Sequence, residues 1–207
     1  MAHQGDPRHQ FTVLTVCTGN ICRSPFAEQY LRQGLRDVAG VTVASAGTMA
    51  MDGDAMPAQA EALARSYGAD PEGHRARFLY EPDVAGASLV LALAREHRRA
   101  VVAMHPRASR TTFTLREFAR LSADLTEDEI RAAVAEAADD SARSRLGSVV
   151  ALVAAQRGSV APAATELDDD VVDPYRQSDS VFAESGRQLV PAADEVVRVL
   201  RVAAGVR

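Results

Sequence analysis

The first apolar run along the chain, residues 11–16, is rich in Val and Thr and carries no charge, which predicts a buried strand. From Ser24 the period changes to that of a helix, with Ala27, Tyr30, Leu31, Gly34, Leu35 and Val38 on one face. A second short strand is expected at 41–44, closed by "SAGT", and a helix at 58–67 ending near Gly68. Residues 88–93 read as a third buried strand and 95–103 as the helix after it. A fourth strand at 112–115 leads into "REFARL".

Strands that alternate with helices predict an α/β fold, a parallel sheet with helices on both faces. Ligands of such sheets bind outside the carboxyl ends of the strands. Residues 122–167 differ in character. "TEDE" has capping-box spacing and starts a helix that reaches about Ala138. A second helix, 142–157, carries Leu146, Val149, Val150 and Val153 on one stripe and stops at Gly158. Together they read as a helical hairpin inserted into the fold. Either its apolar stripe packs on the body, or it serves as a lid or dimer surface. The last amphipathic helix, 181–202, is expected to be interrupted at Gly186 and at Pro191, where a second half would begin.

The chain of 207 residues is 47% hydrophobic and 25% charged, which suits one globular domain at 11–207 behind a polar, flexible tail at 1–10. Its net charge of −5 argues against general nucleic-acid binding. The arginines at 95–99 and 107–116 read as a solvated helix face. No run is long and apolar enough for a membrane span, and the polar start "MAHQGDPRHQ" lacks the apolar core expected of a signal peptide. Two cysteines in one loop, with four residues between them, make no disulfide framework. Free thiols point to a reducing, cytoplasmic setting.

Both cysteines fall in "VCTGNICRSP". With Cys17 ending the first strand, Ser24 as N-cap and Pro25 at the first helical position, the loop wraps a helix N-terminus. Backbone N–H groups there lack helical partners and can bind an anion. Gly19 lets the backbone turn, and Asn20 suits a left-handed conformation. Thr18, Gly19, Asn20, Ile21, Cys22 and Arg23 then form a phosphate cradle, with Arg23 as a planar fork for phosphate oxygens. Cys17 stands at its base, in a field that favours the attacking thiolate. A proton donor is still needed, and Asp173 in "DPY" is the candidate. Asp168, Asp169 and Asp170 are rivals that look more like a solvated acidic run. Cys22 reads equally as a buried hydrophobe or as a partner that traps oxidised Cys17.

"VCTGNICRSPFAE", "SAGT", "GHRAR" and "DPY", in this order, resemble the low-molecular-weight protein tyrosine phosphatases. The resemblance runs from about residue 11 to 118 and resumes from about 172. It implies a four-stranded parallel sheet of order 2-1-3-4. It implies Cys17 as nucleophile of a cysteinyl-phosphate, Arg23 as clamp and Asp173 as general acid. It also implies that Ser24 donates to the thiolate, that Asn20, Ser45 and His74 hold the loop, and that Cys22 can form a protective disulfide. No cofactor or metal is implied.

The chain departs from that pattern at three places. The aromatic pocket residue is replaced near Met51, Arg176 follows Tyr175 where a second tyrosine is common, and Ala94 stands where an aspartate is usual. Met51, Tyr175 and Arg176 are thus the expected pocket wall. The substrate would be a phosphorylated protein or a small phosphomonoester, and the enzyme a monomer or homodimer. The rivals are arsenate reduction with an external thiol, as in relatives that share the scaffold, and a non-catalytic phosphate-binding module.

Overall fold

The computed structural model describes residues 9–206, so 1–8 of the expected tail lie outside the described residues. Four strands, β1 (Phe11–Cys17), β2 (Val41–Gly47), β3 (Leu89–Ala92) and β4 (Thr112–Thr114), form one parallel sheet in the order β2-β1-β3-β4. Eight α-helices are found among the described residues: α1 (Arg23–Gly34), α2 (Ala58–Ser66), α3 (Glu81–Gly86), α4 (Arg95–Met104), α5 (Leu115–Ser122), α6 (Glu127–Ala135), α7 (Ala142–Ala155) and α8 (Asp179–Ala204).

Side-chain alternation divides the sheet's two faces. Phe11, Val13, Leu89, Leu91 and Phe113 point into the larger core, shared with α1, α2 and α5 to α8. Leu14, Val16 and Val90 point into a smaller core closed by Val84 of α3 and Val101 of α4. Both faces are covered, so the strands are apolar on both sides, as parallel sheets require.

β2 is longer than its apolar run suggests. It pairs with β1 from Phe11↔Val41 to Cys17↔Gly47, so "SAG" belongs to the strand and Gly47 lies level with Cys17. α3 has too few residues to show a helical period and escapes a pattern-based reading.

α8 runs unbroken from Asp179 to Ala204, contrary to the expected interruptions. Pro191 removes the bond to the carbonyl of Arg187, but both residues are exposed, so water can satisfy that carbonyl. Gly186 serves packing instead. A Cβ there would lie 2.8 Å from Tyr67 Cε2 and 3.1 Å from Leu63 Cδ1, so its absence lets α2 come close.

The inserted hairpin packs on the body. Ile130, Leu146, Val149, Val150 and Val153 are buried in the larger core. α7 runs beneath the amino ends of the strands. Ala142 packs against Gly40 before β2, and Arg143 Nη2 donates to Gly86 O (3.4 Å) ahead of β3. Arg157, just past the helix, donates to Ser109 O (3.1 Å) and Thr112 O (2.8 Å) where β4 begins. The hairpin is a floor at the end of the sheet opposite the cysteine loop, not a lid.

Candidate active site

Cys17 ends β1 and is 3% exposed. The backbone beyond it turns sharply, and the residue in the left-handed region is Asn20 (φ 56). Gly19 is not in that region, and a Cβ on it would meet only the Ile21 side chain at ordinary contact distance. The expectation that Gly19 supplies the turn is therefore corrected: Asn20 supplies it.

The carbonyls of Cys17 to Asn20 are engaged on the outer side of the loop. Those of Cys17, Thr18 and Gly19 accept from Thr48 N (2.9 Å), Met49 N (3.0 Å) and Met51 N (3.1 Å). That of Asn20 accepts from His74 Nε2 (2.7 Å), which fixes the proton on that ring nitrogen. In a trans peptide, C=O and N–H point to opposite sides, and the described chain has no cis bonds. The N–H groups of Thr18, Gly19, Asn20 and Ile21 consequently turn inward, towards one centre. The close contact behind the loop needs Gly47, whose Cβ would sit 2.5 Å from Thr18 O and 3.0 Å from Asn20 N.

Beneath the loop Asn20 is wholly buried and uses its whole amide. Its Oδ1 accepts from Arg77 N (2.9 Å), and its Nδ2 donates to Ser24 Oγ (2.9 Å) and Ser45 Oγ (2.8 Å). An amide nitrogen only donates, which orients both hydroxyls. Ser45 Oγ donates to the Glu28 carboxylate. Ser24 Oγ lies 3.0 Å from Cys17 Sγ, where its hydroxyl can donate to a thiolate. Ser24 is thus not the N-cap. The cap position is Cys22 with no side-chain bond, and Ser24 and Pro25 lie inside the first turn, where proline removes no helical bond.

Arg23, 5% exposed, donates through Nη1 to Val171 O (3.1 Å) and pairs through Nη2 with Asp173 Oδ2 (2.9 Å). The carboxylate of Asp173 also accepts from Tyr175 N (3.2 Å), a turn that holds it at the rim. Cysteine, inward amides, arginine and one half-exposed carboxylate therefore meet around a cleft of about 140 Å³. Larger cavities, about 620 Å³ at the amino ends of the strands and about 900 Å³ beside α5 and α8, contain no cysteine.

Residues 12–129 match the family described as low molecular weight phosphotyrosine protein phosphatase. The chain belongs to this family. It is 40% identical to a probable low molecular weight protein-tyrosine-phosphatase, EpsP, of Ralstonia solanacearum over 114 residues, 55% of this chain and 76% of the relative. It is 35% identical to a protein-arginine-phosphatase of Geobacillus stearothermophilus over 108 residues, covering 52% and 71%. Among solved structures, the tyrosine phosphatase amsI of Erwinia amylovora superposes with a TM-score of 0.63 over 96% of this chain and 97% of that one, at 22% identity, a likeness of fold. The sheet order and the helical cover are those the family resemblance implied.

In this phosphatase-family chain the cleft is walled by Ile21, Met49, Met51 and Tyr175. Met49 was not expected there; it is the largely exposed methionine of "SAGTMAM", and its sequence signal is only the gap after "SAGT". Arg176 is a correction in the other direction. It does not line the cleft, and its guanidinium lies 5.0 Å from the centre of the Tyr175 ring, with its own backbone left-handed (φ 59).

Two buried side chains complete the surroundings. Burial first, then the negative field of Cys17 and Asp173, pushes the Cys22 thiol up to about 12 against a smaller opposing pull from Arg23. His97 of α4, 2% exposed, meets Thr18 Oγ1 at 2.9 Å and the Glu96 carboxylate at 3.3 Å through Nε2. Burial, reinforced by Arg23, holds His97 down to about 3, so it is neutral. A carboxylate at Nε2 places the single ring proton there and leaves Nδ1 as a buried lone pair.

The acidic run is not solvated as expected. Asp168 accepts from Thr165 N (2.8 Å), Asp169 pairs with Arg120 (2.9 Å) and Asp170 accepts from Arg95 N (2.8 Å). Arg98 and Arg116 likewise leave the expected solvated face, donating to Thr112 O (3.1 Å) and Asp170 O (2.8 Å).

Proposed function

We propose that this chain hydrolyses phosphomonoesters through a cysteinyl-phosphate on Cys17, with protein phosphotyrosine as the principal substrate. One observation carries the reading: Cys17 Sγ, with Ser24 Oγ 3.0 Å away, stands at the centre of a ring of inward amides closed by Arg23. The Cys17 thiolate attacks phosphorus and the bond to the phenolic oxygen breaks. Asp173, protonated, gives its proton to that oxygen. Loop amides and Arg23 hold the charge spread over the equatorial oxygens. In the second half Asp173 takes a proton from water, water attacks phosphorus, and the S–P bond breaks to release phosphate and the thiolate. An arriving phosphoryl group competes with Asp173 for the guanidinium that now pairs with it.

The apolar wall of Ile21, Met49, Met51 and Tyr175 supports an aromatic ring as the group that enters. The relative named as an arginine phosphatase favours a second reading, in which the ester is a phosphoguanidinium. Phosphorylated proteins, rather than free phosphomonoesters, suit the exposed rim at Met49. Arsenate reduction on the same loop would draw on an external thiol, since burial pushes the Cys22 thiol up to about 12 and disfavours an internal relay. Among the described residues no helix is long and apolar enough to cross a membrane. Two free thiols in and beside the nucleophile's loop fit residence in a reducing cytoplasm.

Release of phosphate from p-nitrophenyl phosphate tests the mechanism. Cys17→Ser should abolish it and Asp173→Ala should lower kcat by about 10²-fold or more; full activity of Cys17→Ser would end the reading. Matched phosphotyrosine and phosphoarginine peptides test the substrate: phosphotyrosine should be turned over faster, and the reverse preference would replace it.

A further inference from the structure

We propose that Asp170 is a positioning residue for Asp173: it caps helix α4 from the acid-bearing segment and thereby sets where the acid stands over the cleft. The inference rests on the reading of Asp173 as general acid.

α4 begins without a cap of its own. Its N-cap residue is Ala94, extended (φ −159, ψ 163), with no side chain able to accept a bond. The first N–H of the helix, that of Arg95, is taken by Asp170 Oδ1 at 2.8 Å across 75 residues of chain. The same carboxylate lies 3.4 Å from Arg95 Nε. A carboxylate at the positive end of a helix is favourably placed. Asp170 is therefore tied to the element that follows β3, at the carboxyl end of the sheet, where the cleft lies.

The bonds that follow run directly to the acid. Arg116 Nη1 holds Asp170 O (2.8 Å), and Val171 N donates to Leu93 O (2.9 Å), just past the end of β3. Val171 O receives Arg23 Nη1 (3.1 Å), and Val172 N donates to Gln188 Oε1 (2.8 Å). Asp173 comes next, paired with Arg23 Nη2. Two residues separate the cap from the acid, so a shift at Asp170 is passed on with little slack. The other acids of the run fasten elsewhere, Asp169 to Arg120 of α5 and Asp168 to its own turn at Thr165. Asp170 alone of the three bonds the helix beside the cleft. Displacement of a catalytic group by an ångström is enough to slow a reaction severely.

The experiment compares kcat/KM of the full chain and its Asp170→Ala, Asp170→Asn, Asp173→Ala and Asp170→Ala/Asp173→Ala variants on two esters. Phenyl phosphate has a leaving group that needs a proton; 2,4-dinitrophenyl phosphate does not, and it reports folded enzyme with a working loop. Asp170→Ala should lose about tenfold or more on phenyl phosphate and no more than about twofold on the dinitrophenyl ester. Asn caps as well as Asp, so Asp170→Asn should recover most of the loss. In the Asp173→Ala background Asp170→Ala should change nothing further. Equal losses on both esters, an undiminished loss in that background, or no loss at all would overturn the proposal. Full phenyl phosphate activity in Asp173→Ala alone would remove the acid reading, and this proposal with it, and is told apart by appearing without any change at Asp170.

Discussion

At the scale of single residues, hydrogen-bond polarity does much of the work. Asn20 can only donate through Nδ2, so both serine oxygens accept from it: Ser45 turns its proton to Glu28, and Ser24 Oγ stands 3.0 Å from Cys17 Sγ, placed to donate to a thiolate. "SAGT" and "GHRAR" were legible as motifs, but the direction of each bond depends on which groups meet across the fold. His97 shows the same dependence. Nothing near it in sequence marks it as buried against the cysteine loop. Its protonation is held down to about 3, whereas an unfolded histidine titrates near 6.5. Between these values the unfolded state binds the extra proton, so stability falls as pH drops from about 6.5 towards 3. One such group contributes a slope of up to about 1.4 kcal/mol per pH unit. Urea unfolding of His97→Asn should therefore decline less steeply between pH 7 and about pH 4.5 than that of the wild type, by about 2–3 kcal/mol over the interval. Parallel curves would show that His97 takes up its proton without unfolding.

At the scale of elements, α8 separates local propensity from tertiary fit. Glycine and proline both read as helix breakers in isolation, and neither breaks this helix. The reasons are opposite. Pro191 is tolerated because its lost bond faces water, while Gly186 is required because Tyr67 and Leu63 fill the space a side chain would take. Substitution by alanine should split them. Pro191→Ala should raise stability by about 1–3 kcal/mol, as helix propensity alone predicts. Gly186→Ala should lower it by about 1–3 kcal/mol despite the same propensity gain, because the added methyl overpacks the α2 contact. Thermal melts of the two variants check this; a gain in both would mean that α2 yields easily.

At the scale of the whole molecule, the two ends of the sheet have separate tasks. The carboxyl ends gather the cysteine loop, Arg23 and Asp173, and the inserted hairpin closes the amino ends. Arg157 bolts the floor in place. It bonds Glu117 (2.8 Å) and the carbonyls of Ser109 and Thr112, and its guanidinium lies 4.2 Å from the centre of the Phe113 ring. Arg157→Ala takes its donor from Ser109 O, leaves Thr112 O with Arg98 as side-chain donor, removes the Glu117 pair and should cost about 1–3 kcal/mol of stability. The same variant should keep wild-type kcat/KM on p-nitrophenyl phosphate, since it lies at the far end from the cleft. A large loss of turnover at unchanged stability would show that the floor and the site are coupled.

Alternating apolar runs and the change from strand to helix period determined the α/β class, and "VCTGNICRSP" determined the candidate nucleophile and clamp, because strand end, loop and helix start are neighbours in the chain. Helix α3 and the added length of β2 escaped, the one too short for a period, the other ending in small polar residues. Only the tertiary structure decided what crosses long stretches of sequence: Met49 on the cleft wall, Arg176 off it, the hairpin as floor, and Asp170 on the first N–H of α4. Periodicity and motif spacing report on bonds between near neighbours. These contacts join residues tens of positions apart, and their partners are chosen by how the packed elements bring them together.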